Sequence, residues 1–228
     1  MYSPQWFETF SVTVPGSIIE TELDGIAAAL PPDHYPRVLD VGCGIGRIAG
    51  PLAARGYAVT GLDISVDALR TARHCSPGPR YVALDQRHVG RMRWAFDAAL
   101  VLWNSIGFVG RNADVETLTG LADAVRPGGR VVFDLYHPDW LHRNEKSGER
   151  DERGPAVRRW MRDGRCFNEI RYVDGTIDDI QFDVYHPVEM RHLCRTAGLE
   201  PDIEMVGWSS QSRPSADTPR YQVVCMRP

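Results

Sequence analysis

The stretch Val38-Leu39-Asp40-Val41-Gly42-Cys43-Gly44-Ile45-Gly46 concentrates residue types that bind ligands. An apolar run holding one acid leads into alternating glycines. Glycines let a backbone turn sharply and let a ligand approach where a Cβ would collide. A helix starting beyond such a turn offers free N–H groups to a polar ligand. Dinucleotide-binding turns follow G-x-G-x-x-G. Here the spacing is G-x-G-x-G, and Arg47 stands where the last glycine of that pattern belongs. Asp63 lies about twenty residues beyond Asp40, where an acid accepts the ribose hydroxyls of an adenosine. Asp85 follows a third apolar run, Asn104 a fourth, and Asp134 with His137 a fifth. Open α/β sheets bind ligands at the carboxyl ends of their strands. Asp and Asn favour turns in their own right, so any one of these residues is equally at home in a plain turn. Five such strand ends in register with a glycine loop are hard to assign to turn chemistry alone.

Residues in such a row need strands to hold them. The runs Arg37–Val41, Ala58–Leu62, Tyr81–Leu84, Asp97–Leu102 and Arg130–Phe133 are short and nearly unbroken, as expected of strands buried on both faces. Between them Arg47–Arg55, Ser65–His74 and Asp114–Val125 read as helices, the last capped by Asp114. Regular β-α-β order implies a mostly parallel sheet with helices on both faces, an α/β Rossmann-like fold. Residues 1–34 bring Tyr2, Trp6, Phe7 and Phe10, then a helix over Ser17–Leu30 that Pro31-Pro32 ends. This segment is read as a lid. The polar, mixed-charge stretch 141–164 is expected to be a loop or excursion. Cys166–Tyr172 and Thr176–Val184 read as a hairpin through Asp174-Gly175. Pro187–Ala197 reads as a helix stopped by Gly198, and Ile203–Trp208 and Tyr221–Met226 as closing strands. The expected divisions are a lid (1–34), a cofactor core (35–137), an excursion shaping the substrate pocket (138–185) and a closing segment of the core (186–228).

These motifs resemble one family, the class I S-adenosylmethionine-dependent methyltransferases. Val38–Gly46 is similar to their first motif, Val59–Ser65 to the acidic ribose-binding segment, and Leu84-Asp85-Gln86 to the segment that meets the adenine amine. Arg126-Pro127-Gly128-Gly129 is similar to the turn before their fifth strand. The resemblance covers Arg37 to Asp134 and continues more loosely to the C-terminus. It implies a seven-stranded sheet of order 3-2-1-4-5-7-6 with an antiparallel last strand, and S-adenosyl-L-methionine as cofactor. Gly42, Cys43, Gly44 and Gly46 would line the methionine and ribose, with Asp40 near the methionine ammonium. Asp63 and Ile64 would meet the ribose and its surroundings, and Asp85 or Gln86 the adenine. Leu102, Trp103 and Asn104 would pass close to the sulfonium.

Methyl transfer asks mainly for positioning, and for a base only where the acceptor still carries its proton. His137, in Tyr136-His137-Pro138 beyond the fifth strand, is the candidate general base. Trp6, Phe7, Tyr136, Trp140 and Tyr185 are the candidate substrate-binding aromatics. The segment Trp103–Phe108 lacks the Asn/Asp-Pro-Pro-aromatic tetrad of nucleobase-amine methyltransferases and the acidic ligands of metal-dependent catechol enzymes. It is similar to small-molecule, natural-product tailoring methyltransferases. The methyl acceptor, whether O, N or C, stays open. A non-catalytic S-adenosylmethionine-binding protein and an NAD(P)-dependent oxidoreductase are the alternatives, the latter disfavoured by Arg47.

Composition sets outer bounds. Lys and Arg total 26 against 30 Asp and Glu, a net charge of −4, which argues against a nucleic-acid binder. No run approaches a membrane span, and the N-terminus lacks the pattern of a secretory signal. The 5 cysteines are scattered without a CxxC pair, so neither a disulfide framework nor a metal site is expected. A cytoplasmic monomer or homodimer with a small-molecule substrate is the resulting expectation.

Overall fold

The computed structural model describes residues 3–11, 13–150 and 154–228; Tyr2 of the expected lid lies outside them. In chain order the elements are α1 (Pro4–Trp6), a wider helical turn over Phe7–Ser11, α2 (Gly16–Ala29), β1 (Arg37–Val41), α3 (Ala49–Ala54), β2 (Ala58–Asp63), α4 (Val66–Cys75) and β3 (Arg80–Ala83). A tight turn over Gln86–Met92, β4 (Phe96–Val101), α5 (Arg111–Ala124), β5 (Val125–Tyr136) and α6 (Pro138–Arg143) follow. Then come β6 (Lys146–Arg150), β7 (Ala156–Arg162), β8 (Arg165–Arg171), β9 (Ile177–Asp183), α7 (Pro187–Thr196), β10 (Glu200–Met205) and β11 (Arg220–Met226).

Among the described residues the main sheet runs β3-β2-β1-β4-β5-β11-β10, with β11 antiparallel to both neighbours. This is the expected 3-2-1-4-5-7-6 order. The central strands are buried on both sides, which is why Phe96–Val101 carries no exposed residue. One apolar layer lies between the sheet and α5 and α7, through Leu39, Val101, Phe133 and Leu135 against Leu118, Leu121 and Met190. The other lies under α2 and α3, through Val38, Leu100 and Val132 against Leu23, Ile26 and Leu52. Strand order reverses between β1 and β4, so the crevice that binds ligands in such sheets opens between their carboxyl ends. Among the described residues no helix is long and apolar enough to cross a membrane.

The second sheet corrects the sequence reading. The described residues of the 141–164 stretch form not a loop but an ordered excursion: they hold the end of α6 and the strands β6 and β7, which extend the hairpin into an antiparallel β6-β7-β8-β9 meander. Arginines hid the pattern. The Arg158 guanidinium lies 4.9 Å from the Trp160 ring and that of Arg159 5.5 Å from Trp140, so long charged side chains cover aromatic surface. Beneath them Val157 and Met161 pack on Cys166, Ile170, Ile180 and Phe182. Asp114 is a smaller correction. Gly110 occupies the cap of α5, and Asp114, one turn inside, is fully buried.

The two sheets meet at Gly107. Its N–H donates to Asp114 Oδ1 at 3.1 Å, and its carbonyl accepts the Asp183 N–H at 2.9 Å. Gly107 has φ +99°, and a Cβ there would stand 2.2 Å from the Asp183 carbonyl oxygen. Gly107→Ala should therefore cost about 1–3 kcal/mol from backbone strain alone. Urea unfolding should show a lowered midpoint, and an unchanged midpoint would mean that the two segments separate freely.

Candidate cofactor and acceptor site

The end of β2 holds the glycine loop. Gly42 and Cys43 donate their N–H groups to the Leu62 carbonyl at 2.7 and 3.0 Å. Asp63 Oδ2 accepts the Gly44 N–H at 2.8 Å, and its Oδ1 accepts the Ser65 N–H at 2.8 Å. Burial nonetheless raises the Asp63 carboxyl above its usual value, against the lowering effect of those N–H groups. Gly44 has φ +53°, and the Phe7 ring edge lies 2.7 Å from where its Cβ would be. Only glycine gives the loop this turn and leaves its surface open to a flat ring. Beside Asp63, Ile64 is 51% exposed, an apolar surface next to an acid.

A second acidic group lies under the loop. Asp40 is buried near Arg47, Asp63 and Glu22. Burial raises its carboxyl to about 7; Arg47 opposes this, and the two neighbouring acids add to it. Glu22, from α2, accepts from Arg47 Nη1 at 2.7 Å and from the Trp103 indole N–H at 2.6 Å. The Arg47 guanidinium sits 4.5 Å from the Trp103 ring centroid, and Arg220 sits 4.7 Å from it. Arg220 is also 4.6 Å from the Tyr136 ring, and Tyr136 stacks on Phe182 at 6.3 Å. The result is a continuous wall of alternating cations and aromatic rings.

Asp134 anchors that wall. It pairs with Arg220, accepts Gln222 Nε2 at 2.9 Å and accepts the Trp103 backbone N–H at 3.1 Å. Burial would lower the Arg220 pKa, but the adjacent Asp134 carboxylate more than offsets this and raises it. Trp103 and Asn104 both have positive φ, 52° and 60°. Asn104 sustains this conformation: its N–H donates to the Asp134 carbonyl at 2.9 Å, its Oδ1 accepts the Tyr136 N–H at 3.2 Å, and its Nδ2 donates to the Ile106 carbonyl at 3.0 Å.

The structure thus gathers Asp40, the glycine loop, Asp63, Trp103, Asn104 and Tyr136 at the carboxyl end of the sheet, with Phe7 over the loop, while Leu102 is buried in the apolar layer under α2 and α3. Trp6 packs with the second sheet, as does Trp140. Asp85 is already engaged: it takes the Arg87 N–H at 2.9 Å and the Arg87 guanidinium at 2.6 Å, which holds its carboxyl below the usual range. Gln86 opens the turn beside it. Tyr185 is not on the crevice; it is 1% exposed and donates to Asp114 Oδ2 at 2.5 Å within the α5 layer. His137 also stands apart, against Tyr221 and His186, and burial lowers its pKa. Glu22, Arg220 and Gln222 were missed. Their only sequence signal is polar side chains inside otherwise apolar helix and strand patterns.

Sheet, switch point and glycine loop define a doubly wound α/β cofactor-binding domain. Residues 38–129 match the family model of a methyltransferase domain. The ubiquinone biosynthesis O-methyltransferase of Aromatoleum aromaticum is 31% identical over 180 residues, which is 76% of this chain and 67% of that protein. A malonyl-[acyl-carrier protein] O-methyltransferase of Enterobacter lignolyticus is 28% identical over 138 residues, 60% of this chain and 54% of that protein. An S-adenosylmethionine-bound amino pentose methyltransferase from Micromonospora echinaspora shares the fold, with a TM-score of 0.71 at 22% identity, covering 100% of this chain and 98% of that one. The chain belongs to the class I S-adenosylmethionine-dependent methyltransferases. It spans about half the length of several of the curated relatives it matches.

The residues present fit that cofactor. A buried carboxyl raised to about 7 is a place where a ligand cation is favoured, and S-adenosylmethionine brings an ammonium and a sulfonium. The sign of the Asp40 effect is fixed by its raised pKa. Below about pH 4 folded and unfolded chains both hold the proton. Between there and about pH 7 only the folded chain does, so ligand-free stability falls as pH rises through this window. Asp40→Asn should flatten the melting temperature against pH over that range. A wild-type slope in the variant would remove Asp40 from the account.

Proposed function

We propose that this chain transfers a methyl group from S-adenosylmethionine to a small organic acceptor. The observation that carries this reading is the glycine loop with three carboxyl groups beside it: Asp63 accepts the Gly44 N–H, and Asp40 and Glu22 lie near it, with Arg47 tied to Glu22. A dinucleotide would have to bring its anionic pyrophosphate to that loop, against like charge, whereas a cationic cofactor is attracted. This disfavours the oxidoreductase alternative more firmly than Arg47 does.

When bound, S-adenosylmethionine supplies a methyl group on a sulfonium that departs as a neutral thioether. The chain's own part is to bind and orient. Asp63 offers carboxylate oxygens to ribose hydroxyls as charge-assisted acceptors. Ile64 gives the adenosine an apolar surface, and Asp85 or Gln86 meets the adenine edge. Asp40 faces the ammonium. Trp103 and Tyr136, braced by Arg220, form the wall on the acceptor side. Holding the acceptor lone pair in line with the methyl group is worth about 7–11 kcal/mol of the barrier. The aromatic wall suits a small organic acceptor, and the curated relatives' O-methyltransferase names favour an oxygen nucleophile. Four buried free cysteines suit a reducing cytoplasm.

Residues 3–11 serve as the lid. Ser3 Oγ donates to Asp178 Oδ2 at 2.6 Å and Thr176 Oγ1 to Gln5 Oε1 at 2.5 Å, while Phe7 rests on Gly44. The segment therefore links the second sheet to the glycine loop and must open for the cofactor to exchange. Amide hydrogen exchange in residues 3–11 should slow when S-adenosylhomocysteine is added; equal exchange with and without it would mean that the segment is only a structural strap.

The central test is calorimetry. Asp63→Ala should weaken S-adenosylhomocysteine by the roughly 1.5–3 kcal/mol of a charged hydrogen bond, about 10- to 150-fold. A thermal-shift panel should show stabilisation by S-adenosylhomocysteine and none by NAD or NADP. Unchanged affinity in the variant, or a shift with NAD alone, would defeat the proposal.

A further inference from the structure

The tripeptides Tyr136-His137-Pro138 and Tyr185-His186-Pro187 repeat one pattern at two places. Each opens a helix: His137 is the cap residue of α6 and His186 that of α7, and each is followed by proline in the first turn. Proline there fixes the entry of the chain, so both histidines leave the helix start with extended backbones, at φ −79° and −65°. Their rings meet edge to face with centroids 5.7 Å apart. Asp139, in the first turn of α6, places Oδ1 3.7 Å from His186 Nε2.

One potential ligand atom from each of His137, Asp139 and His186 lies within 4.8 Å of the other two. The same histidine carries a second, independent feature. His137 is 4% exposed, and its Nδ1 is buried with no hydrogen-bond partner among the described residues. The main chain and the rings around it leave this polar side chain short of a partner: the His137 N–H donates to the Pro219 carbonyl, and Tyr221 covers one side.

We propose that His137, Asp139 and His186 form a binding site for one divalent transition cation. Two imidazoles and one carboxylate suit zinc, nickel, cobalt or iron, and not the all-oxygen preference of magnesium or calcium. Metal–ligand bonds of about 2.0–2.2 Å put donor atoms no more than roughly 4 Å apart. The set must therefore contract slightly, and the partly exposed Asp139 and His186 side chains are the ones able to move. Three protein ligands leave at least one position for water. The ion would tie the start of α6, where the excursion leaves the main sheet, to the start of α7, where it returns. This assignment replaces the expected role of His137 as general base, since a nitrogen held by a cation cannot accept a proton. It does not rest on the methyl-transfer reading.

The test uses the full chain, freed of metal by a chelator and then dialysed. Titration with Zn²⁺ by calorimetry should give one saturable site, and Co²⁺ should give visible ligand-field absorption with the same stoichiometry. Asp139→Asn and His186→Gln, both at partly exposed positions, should each weaken Zn²⁺ at least tenfold while leaving the circular dichroism spectrum unchanged. They keep the proposal falsifiable even if the buried His137→Ala fails to fold. Absence of saturable binding, or Zn²⁺ affinity that survives both substitutions, would overturn it. S-adenosylhomocysteine binding, measured on the same samples, separates this outcome from failure of the cofactor reading.

Discussion

The buried carboxylate of Asp134 is the interaction on which the crevice depends. It stands near the end of β5 and gathers three donors from two sides: Arg220 and Gln222 from β11, and the Trp103 N–H from the loop after β4. An acid buried this deeply is tolerable only because its charge is matched and its lone pairs are used. Removing one member of such a pair typically costs about 3–5 kcal/mol, because the other charge is left stranded. The consequence here is geometric. Trp103 and Asn104 are held in left-handed backbone conformations, which non-glycine residues adopt at a cost, and the bonds to Asp134 and Tyr136 hold them there.

Charge is distributed unevenly on the two sides of the Trp103 ring. Arg47 covers one face and is tied to Glu22; Arg220 covers the other and is tied to Asp134. Arg220 Nη1 is buried without a hydrogen-bond partner among the described residues, but the guanidinium lies between two π faces, which attract a desolvated cation. Each arginine is therefore largely spoken for by its own acid. Asp40 and Asp63 form no ion pair among the described residues, although Arg47 still lowers the Asp40 pKa against its burial.

The fold was legible because its signals are local and repeated. Short buried runs alternate with helices, and the glycine loop with Asp63 marks the carboxyl ends. What escaped was long-range or disguised. Glu22 sits within a helix whose inward face is otherwise apolar, and its partners are 25 and 81 residues away. Arg220 opens a strand that reads as a plain closing element. Tyr185 lies two residues beyond β9 and turns toward α5, where its hydroxyl meets Asp114. His137 lies just past the end of β5, where α6 begins, and its ring packs on Tyr221 and His186 rather than along the Tyr136 wall. Strands β6 and β7 were hidden by arginines whose stems and planar heads behave as cover for tryptophan.

The second sheet joins the core through specific contacts: the Asp183–Gly107 bond, the Arg111–Val184 bond, Phe108 and Tyr136 against Phe182, and the N-terminal segment. None of the Asp40, Asp63 or Asp134 bonds passes through it. Its apolar layer, built from Leu141, Cys166, Ile170, Ile180 and Phe182 with Trp6 and Phe10, is continuous with Tyr136 and Phe108, so side chains there pack against the aromatic end of the Trp103–Arg220–Tyr136 wall. A fold arranged in this way can vary the meander while the glycine loop and its acids stay in place, and the meander is also the segment whose alternating pattern was hardest to read in the sequence.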